Sequence, residues 1–268
     1  MVFKYKAYYD LLLNLGRIDY TVEISEIAIR NLLSQIEASE SPDELVKTLS
    51  NKYDIMLSYD ISNNYYNQLT LSNIAMVYHL SEEFLYDMQS EYNSISESRW
   101  MFDKNKTKLD QVISYFNNKS RFSNRDFIPE YLIDTFAYYH QLRVYFSHKK
   151  TTSENEIEKK WLKAKGYFSN GELMKKYRIN NAPNNIENLN FEDFFLFTQI
   201  AKDLCLKISS LCYPEAKGFA KLIELRKLKK HQDILVRKQR IESYLRTEYG
   251  YVKENDSDVL VDEISDLL

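Results

Sequence analysis

A chain of 268 residues with 44% hydrophobic residues, 28% charged residues and a formal net charge of −3 can bury a sizeable core, and its balance is that of a globular protein rather than a disordered one. Five Gly and four Pro leave few tight turns and no glycine-rich phosphate cradle, which argues against P-loop ATPases, kinases and dinucleotide enzymes. A mainly α fold follows.

The first 64 residues read as an N-terminal helical extension. Phe3, Ala7, Tyr8, Leu11, Leu12 and Leu15 recur at helical spacing, with Gly16 as the stop. Residues 18–24 alternate with period two, as do Tyr53, Ile55, Leu57, Tyr59 and Ile61, so two short strands are expected. Between them, residues 26–37 read as a helix. Ser41-Pro42-Asp43-Glu44 opens another, with a capping residue, a first-turn Pro and two acids. The opening residues Met1-Val2-Phe3-Lys4-Tyr5-Lys6 lack a leader pattern, and no apolar run approaches the roughly 20 residues that span a bilayer. A cytoplasmic protein without membrane contact is expected.

Residues 65–213 read as a helical core. A long helix is expected over 69–98, with Ser72 as a cap and His79 packed in the apolar row. Leu109, Val112, Ile113 and Phe116 define a second helix near 106–118. Arg121 and Arg125 lie in the connection beyond it. Pro129 opens a third helix, 130–148, which is apolar on most sides through Leu132, Phe136, Tyr139, Leu142 and Tyr145. Such a helix is buried or shared between subunits. Residues 149–190 are polar, and their lysines (Lys149, Lys150, Lys159, Lys160, Lys163, Lys165) form a basic loop that would attract RNA. A short helix and a turn are expected around Trp161 to Gly171. Asn190 then caps a closing helix over 190–212. Its Cys205 and Cys212 stand seven residues apart, about 10 Å by helix rise, too far to bridge, so they read as buried thiols.

The end of the chain divides by charge. Residues 217–240 carry nine Lys or Arg against Glu224 and Asp233, and residues 241–268 carry eight acids against Arg246 and Lys253. The first part reads as a long basic helix within 214–250, with Arg226, Lys227, Lys229 and Lys230 as RNA-binding candidates. The second, 251–268, is an acidic amphipathic tail suited to docking a partner, to folding back on the basic helix, or to mimicking phosphate.

Aqueous chemistry concentrates in residues 138–150. On a helix His140, Val144 and His148 stack at i, i+4 and i+8, with Arg143 and Ser147 on the next row. An imidazole passes protons near neutral pH, and a guanidinium grips phosphate through paired donors. Together they suit cleavage of an RNA phosphodiester, with His148 moving the proton and Arg143 stabilising charge on the phosphate, without a metal or other cofactor. The residue-level counter-reading is an Arg and a His placed at the end of a core helix, where the helix dipole attracts cations.

Arg143-Val144-Tyr145-Phe146-Ser147-His148 forms an Arg-x4-His motif at the end of an aromatic helix. With the helices around it, the chain over roughly residues 65–213 resembles the HEPN superfamily of prokaryotic toxin and phage-defence ribonucleases. The resemblance implies a metal-independent endoribonuclease that leaves a cyclic phosphate and a 5′-hydroxyl. It also implies a homodimer, or a heterodimer with a related chain, whose motifs form one composite cleft, and an inhibitor or defence-system partner. Val144 stands where active members of that family carry a polar residue; His140 or Ser147 would take its orienting role. The competing expectation is a non-catalytic HEPN-fold protein that binds RNA or a partner.

Overall fold

The computed structural model describes residues 2–56, 64–96, 99–103, 106–117, 128–148, 153–225, 233–253 and 259–268. Among them are eleven helices: α1 (Lys6–Glu37), α2 (Pro42–Tyr53), α3 (Asn64–Ile95), α4 (Lys108–Asn117), α5 (Glu130–Ser147), α6 (Glu154–Phe168), α7 (Glu172–Tyr177), α8 (Phe191–Leu211), α9 (Ala216–Leu225), α10 (Ile234–Tyr249) and α11 (Leu260–Leu267). The fold is mainly α. The described residues hold no strand, and one isolated antiparallel bridge joins Val2 and Val252. No helix of the described residues is long and apolar enough to cross a membrane.

Gly16 does not end the first helix, and residues 18–24 are not a strand: α1 runs through both. Ile18 and Val22 are also an i, i+4 pair. They continue a row from Leu15 to Ile29 and Leu33 that is buried or half-buried, while Tyr20 and Ile24 face solvent. The longer 3.6-residue period outweighs the short alternation, and one exposed Gly costs a helix only about 1 kcal/mol relative to Ala. The second expected strand begins in the last turn of α2 at Tyr53, and residues 57–61 lie outside the described residues. Ser72 is well inside α3 rather than its cap, and His79 is exposed rather than packed.

The chain divides into two compact units. The first comprises Met1–Asn14, His79–Ile133 and Ile200–Leu268; the second comprises Leu15–Tyr78 and Asp134–Gln199.

In the first unit the N-terminal segment is locked by aromatic packing. Phe3 stacks on Tyr249 at 5.0 Å and meets Tyr5 edge-on at 5.0 Å. The buried Tyr5 hydroxyl donates to the Cys212 carbonyl at 2.5 Å, and Cys205 and Cys212 are buried free thiols. Glu91 of α3 caps α1, its two oxygens accepting from the backbone N–H groups of Lys6 and Ala7 at 2.9 and 2.8 Å. Orphan donors at a helix start favour such a carboxylate. Burial pushes the Glu91 carboxyl above its ordinary value, against the pull of those two hydrogen bonds. Glu91→Ala is expected to cost about 1–2 kcal/mol in denaturant unfolding, because it leaves both donors without their acceptor.

Gly218 of α9 lies against the last turn of α3. A Cβ there would collide with the Ile95 carbonyl oxygen and stand 2.9 Å from the Ile95 carbonyl carbon. Gly218→Ala would gain about 1 kcal/mol of helix propensity. The collision is with backbone, which cannot rotate away, so a net loss of about 2 kcal/mol in thermal or chemical unfolding is expected.

Residues 217–240 are not one helix. Asp233 has an extended backbone (φ −75, ψ 117), and its side chain accepts from the N–H groups of Leu235 and Val236, capping α10. An Asp within a basic stretch thus starts a new helix. The acidic tail folds back: α11 packs on α9 and α10. Leu260 and Ile264 are buried there, and Lys238 reaches Asp262 at 2.6 Å.

In the second unit α5 is the central helix. Its Tyr139 ring packs on Phe197 of α8 at 4.8 Å, and its Phe136 on Phe197 at 5.5 Å. The segment between α7 and α8, which contains the cis Ala182–Pro183 bond, is tied down at several points. The Tyr138 hydroxyl donates to the Asn184 carbonyl, and the Trp161 indole N–H donates to the Pro183 carbonyl at 3.1 Å.

Candidate functional site

The end of α5 carries the four candidate catalytic residues, and they divide into two groups. His140 and Arg143 sit three residues apart, one turn of helix, and both meet Tyr78 of α3. The His140 ring stacks on the Tyr78 ring at 4.5 Å with 5° between the planes. The Arg143 guanidinium carbon lies 5.5 Å from the same ring centroid. Tyr78 is buried, and its position is fixed by Phe136 at 5.7 Å. His140 and Arg143 are each half-buried. A cation held against an aromatic face keeps its in-plane N–H donors available for an anion. The guanidinium is therefore oriented before any ligand arrives.

Ser147 and His148 form the second group. Both are exposed, and the His148 backbone N–H donates to the Val144 carbonyl at 2.8 Å, prolonging the last turn. Residues five apart on a helix lie about 140° apart around its axis. The fold does not stack Arg143 and His148 on one face of one chain. Phe146 beside them is also exposed.

Tyr145 points to different chemistry. It lines a cavity of about 360 Å³ with Trp161 and three carboxylates, Glu154, Glu158 and Glu187. That acidic wall repels phosphate, so an anionic ligand of the Arg143 group has to approach from elsewhere.

The lysines after the motif behave differently from a basic loop. Lys159, Lys160, Lys163 and Lys165 lie on α6, a regular helix. Lys163 pairs with Asp134 of α5 at 2.9 Å, and Lys160 donates to the Gln141 side chain at 2.7 Å. Lys165 lies over the Trp161 ring at 4.6 Å. Lys160 and Lys163 brace α6 on α5. Lys149, Lys150, Arg226, Lys227, Lys229 and Lys230, together with Arg121 and Arg125, lie outside the described residues. Among the described residues no group of three or more His, Cys, Asp or Glu could hold a metal ion.

Tyr78 is not legible as a site residue from sequence. Its only signal is an aromatic residue on the apolar row of a long helix, and its partners lie more than 50 residues away. No family model matches the chain, and no curated protein and no solved structure matches it either.

Proposed function

We propose that the chain is a metal-independent endoribonuclease of the HEPN type, acting in the cytoplasm in toxin–antitoxin or phage-defence biology. The observation that carries the reading is the Arg143 guanidinium held on Tyr78 beside the stacked His140, with a solvent-reachable His148 about one and a half turns further along. The 2′-hydroxyl of the substrate attacks the phosphorus and its proton passes to one imidazole. The bond from phosphorus to the 5′-oxygen breaks, and that oxygen takes a proton from a second imidazole. The products are a 2′,3′-cyclic phosphate and a 5′-hydroxyl. Arg143 stabilises the negative charge that grows on the phosphate oxygens. His140 and Ser147 position the catalytic pair.

Two proton-transfer groups are needed, and one motif supplies one exposed histidine. A second copy, or a related chain, supplies the other and completes the cleft. The apolar character of α5 and the exposed Phe146 at its end support a shared site. Lys149, Lys150 and the basic residues 226–230 would hold the RNA backbone.

The test is incubation of purified protein with total cellular RNA in excess EDTA, followed by end-group analysis. Fragments with cyclic phosphate and 5′-hydroxyl ends are the expected result. Binding of RNA without any cleavage would replace the enzyme with a non-catalytic binding protein of the same fold.

A further inference from the structure

The second unit contains a cavity of about 480 Å³ between residues of α1, α3 and α8. Its volume lies in the range of small-molecule sites, roughly 300–1,000 Å³. Hydrocarbon and aromatic groups make most of the wall: Ile18, Val22, Leu69, Met76, Phe191 and Phe194.

Three polar groups interrupt that lining. Glu26 is only 8% exposed, and its Oε1 accepts from the Tyr66 hydroxyl and from Arg30 Nε, the latter at 2.8 Å. Among the described residues nothing donates to its Oε2. Asn73 and Thr70 are 7% and 3% exposed, and among the described residues neither side chain makes a hydrogen bond. A buried polar group without a partner costs about 1–3 kcal/mol, so native folds seldom leave one without a reason. Here three of them line one cavity.

The geometry points to a binding site for a guanine nucleotide. A free carboxylate oxygen beside an amide calls for a ligand edge with adjacent N–H donors and a neighbouring acceptor. Guanine offers that edge: Glu26 accepts from the ring N1–H and the 2-amino group, and the Asn73 amide donates to O6. Thr70 is a further hydroxyl on the same wall. The flat faces of the base rest against the hydrocarbon wall and the Phe191 and Phe194 rings, as bases do on aromatic side chains. Adenine presents a bare ring nitrogen where guanine has N1–H, which would face the carboxylate with a lone pair. Arg17 is exposed and lies among the lining residues, where its fork can meet a phosphate. No residue of the Arg143 group takes part, so guanine binding here stands apart from the nuclease reading.

Calorimetric titration of the full chain with GMP, IMP and AMP tests the assignment. GMP is expected to bind, with IMP, which lacks the 2-amino group, and AMP each weaker by roughly ten-fold or more. Glu26→Gln is expected to erase the preference for GMP over IMP. Because that change also touches Tyr66 and Arg30, Met76→Trp serves as a second variant: it fills the cavity from a partly exposed position and leaves the polar groups in place. It is expected to abolish GMP binding while the helical circular-dichroism signal is retained. No binding at millimolar GMP, equal binding of GMP and AMP, or GMP binding untouched by Met76→Trp would each overturn the assignment.

Discussion

Asp193→Ala is expected to cost roughly 3–5 kcal/mol of stability, a larger loss than either Glu91→Ala or Gly218→Ala brings. The carboxylate is fully buried at the start of α8 and serves four donors at once. Its Oδ1 accepts from the Asn184 backbone N–H at 2.9 Å and from the Tyr139 hydroxyl at 3.0 Å. Its Oδ2 accepts from the Asn184 side-chain amide at 2.9 Å and the Asn190 backbone N–H at 3.1 Å. Alanine leaves all four in a site that water does not reach, and each unpaired donor carries a penalty of about 1 kcal/mol or more. Thermal unfolding should show a fall of roughly 10 °C. Asp193→Asn keeps one acceptor and should fall between the two.

The pH dependence has a definite sign. Burial pushes the Asp193 carboxyl above its ordinary value, against the pull of its hydrogen bonds. A raised folded-state value means that the native state binds the proton more tightly than the unfolded chain. This contribution to stability is complete below the ordinary Asp range and declines as pH rises through the raised value. The gap between the parent and Asp193→Ala should therefore widen on mild acidification. A cost below about 1 kcal/mol at all pH values would show that the four donors find other partners.

The second large effect concerns cleavage. Arg143→Ala and His148→Ala are each expected to lower the rate on RNA by about 10²–10³-fold, the usual loss when a charge-stabilising donor or a proton-transfer group is removed. Arg143→Lys should recover little, because an ammonium lacks the planar fork that grips two phosphate oxygens. Mixing the two Ala variants separates a shared site from a self-contained one. Within one chain the two residues lie about 140° apart around α5. If Arg143 of one copy works with His148 of another, the mixture regains activity that neither variant has alone. A mixture as inactive as its components, with the parent running as a monomer, would sink the shared site. Tyr78→Leu should lower the rate without abolishing it, since it removes the ring that holds the guanidinium and leaves the guanidinium itself.

Much of the helical framework is legible in the sequence. The expected helices near 106–118, 130–148 and 190–212 correspond to α4, α5 and α8. Each has a clear 3.6-residue period, and two of them also carry a start signal, Pro129 or Asn190. The departures have local causes. Residues 18–24 satisfy two periods at once, and only the neighbours on both sides decide for helix. Asp233 reads as a stray acid in a basic run, while its extended backbone makes it a cap.

Of the site, sequence supplies Arg143, His140, Ser147 and His148 but not what surrounds them. Tyr78, Glu26, Thr70 and Asn73 look like ordinary members of long helices. Only the crossing of α1, α3, α5 and α8 residues within one unit gives them chemical meaning. The lysines of α6 pass for a loop in sequence for the same reason: Asp134 and Gln141, which engage Lys163 and Lys160, lie on another helix.

The bridge between Val2 and Val252 also bears on the order in which the molecule is made. Ribosomal synthesis proceeds from the N-terminus, so the unit that contains both residues cannot close until nearly the whole chain has emerged. Every residue of the unit bearing Arg143 and Tyr78 has been made by position 199. That unit has its complete sequence available while the other still awaits its final three helices.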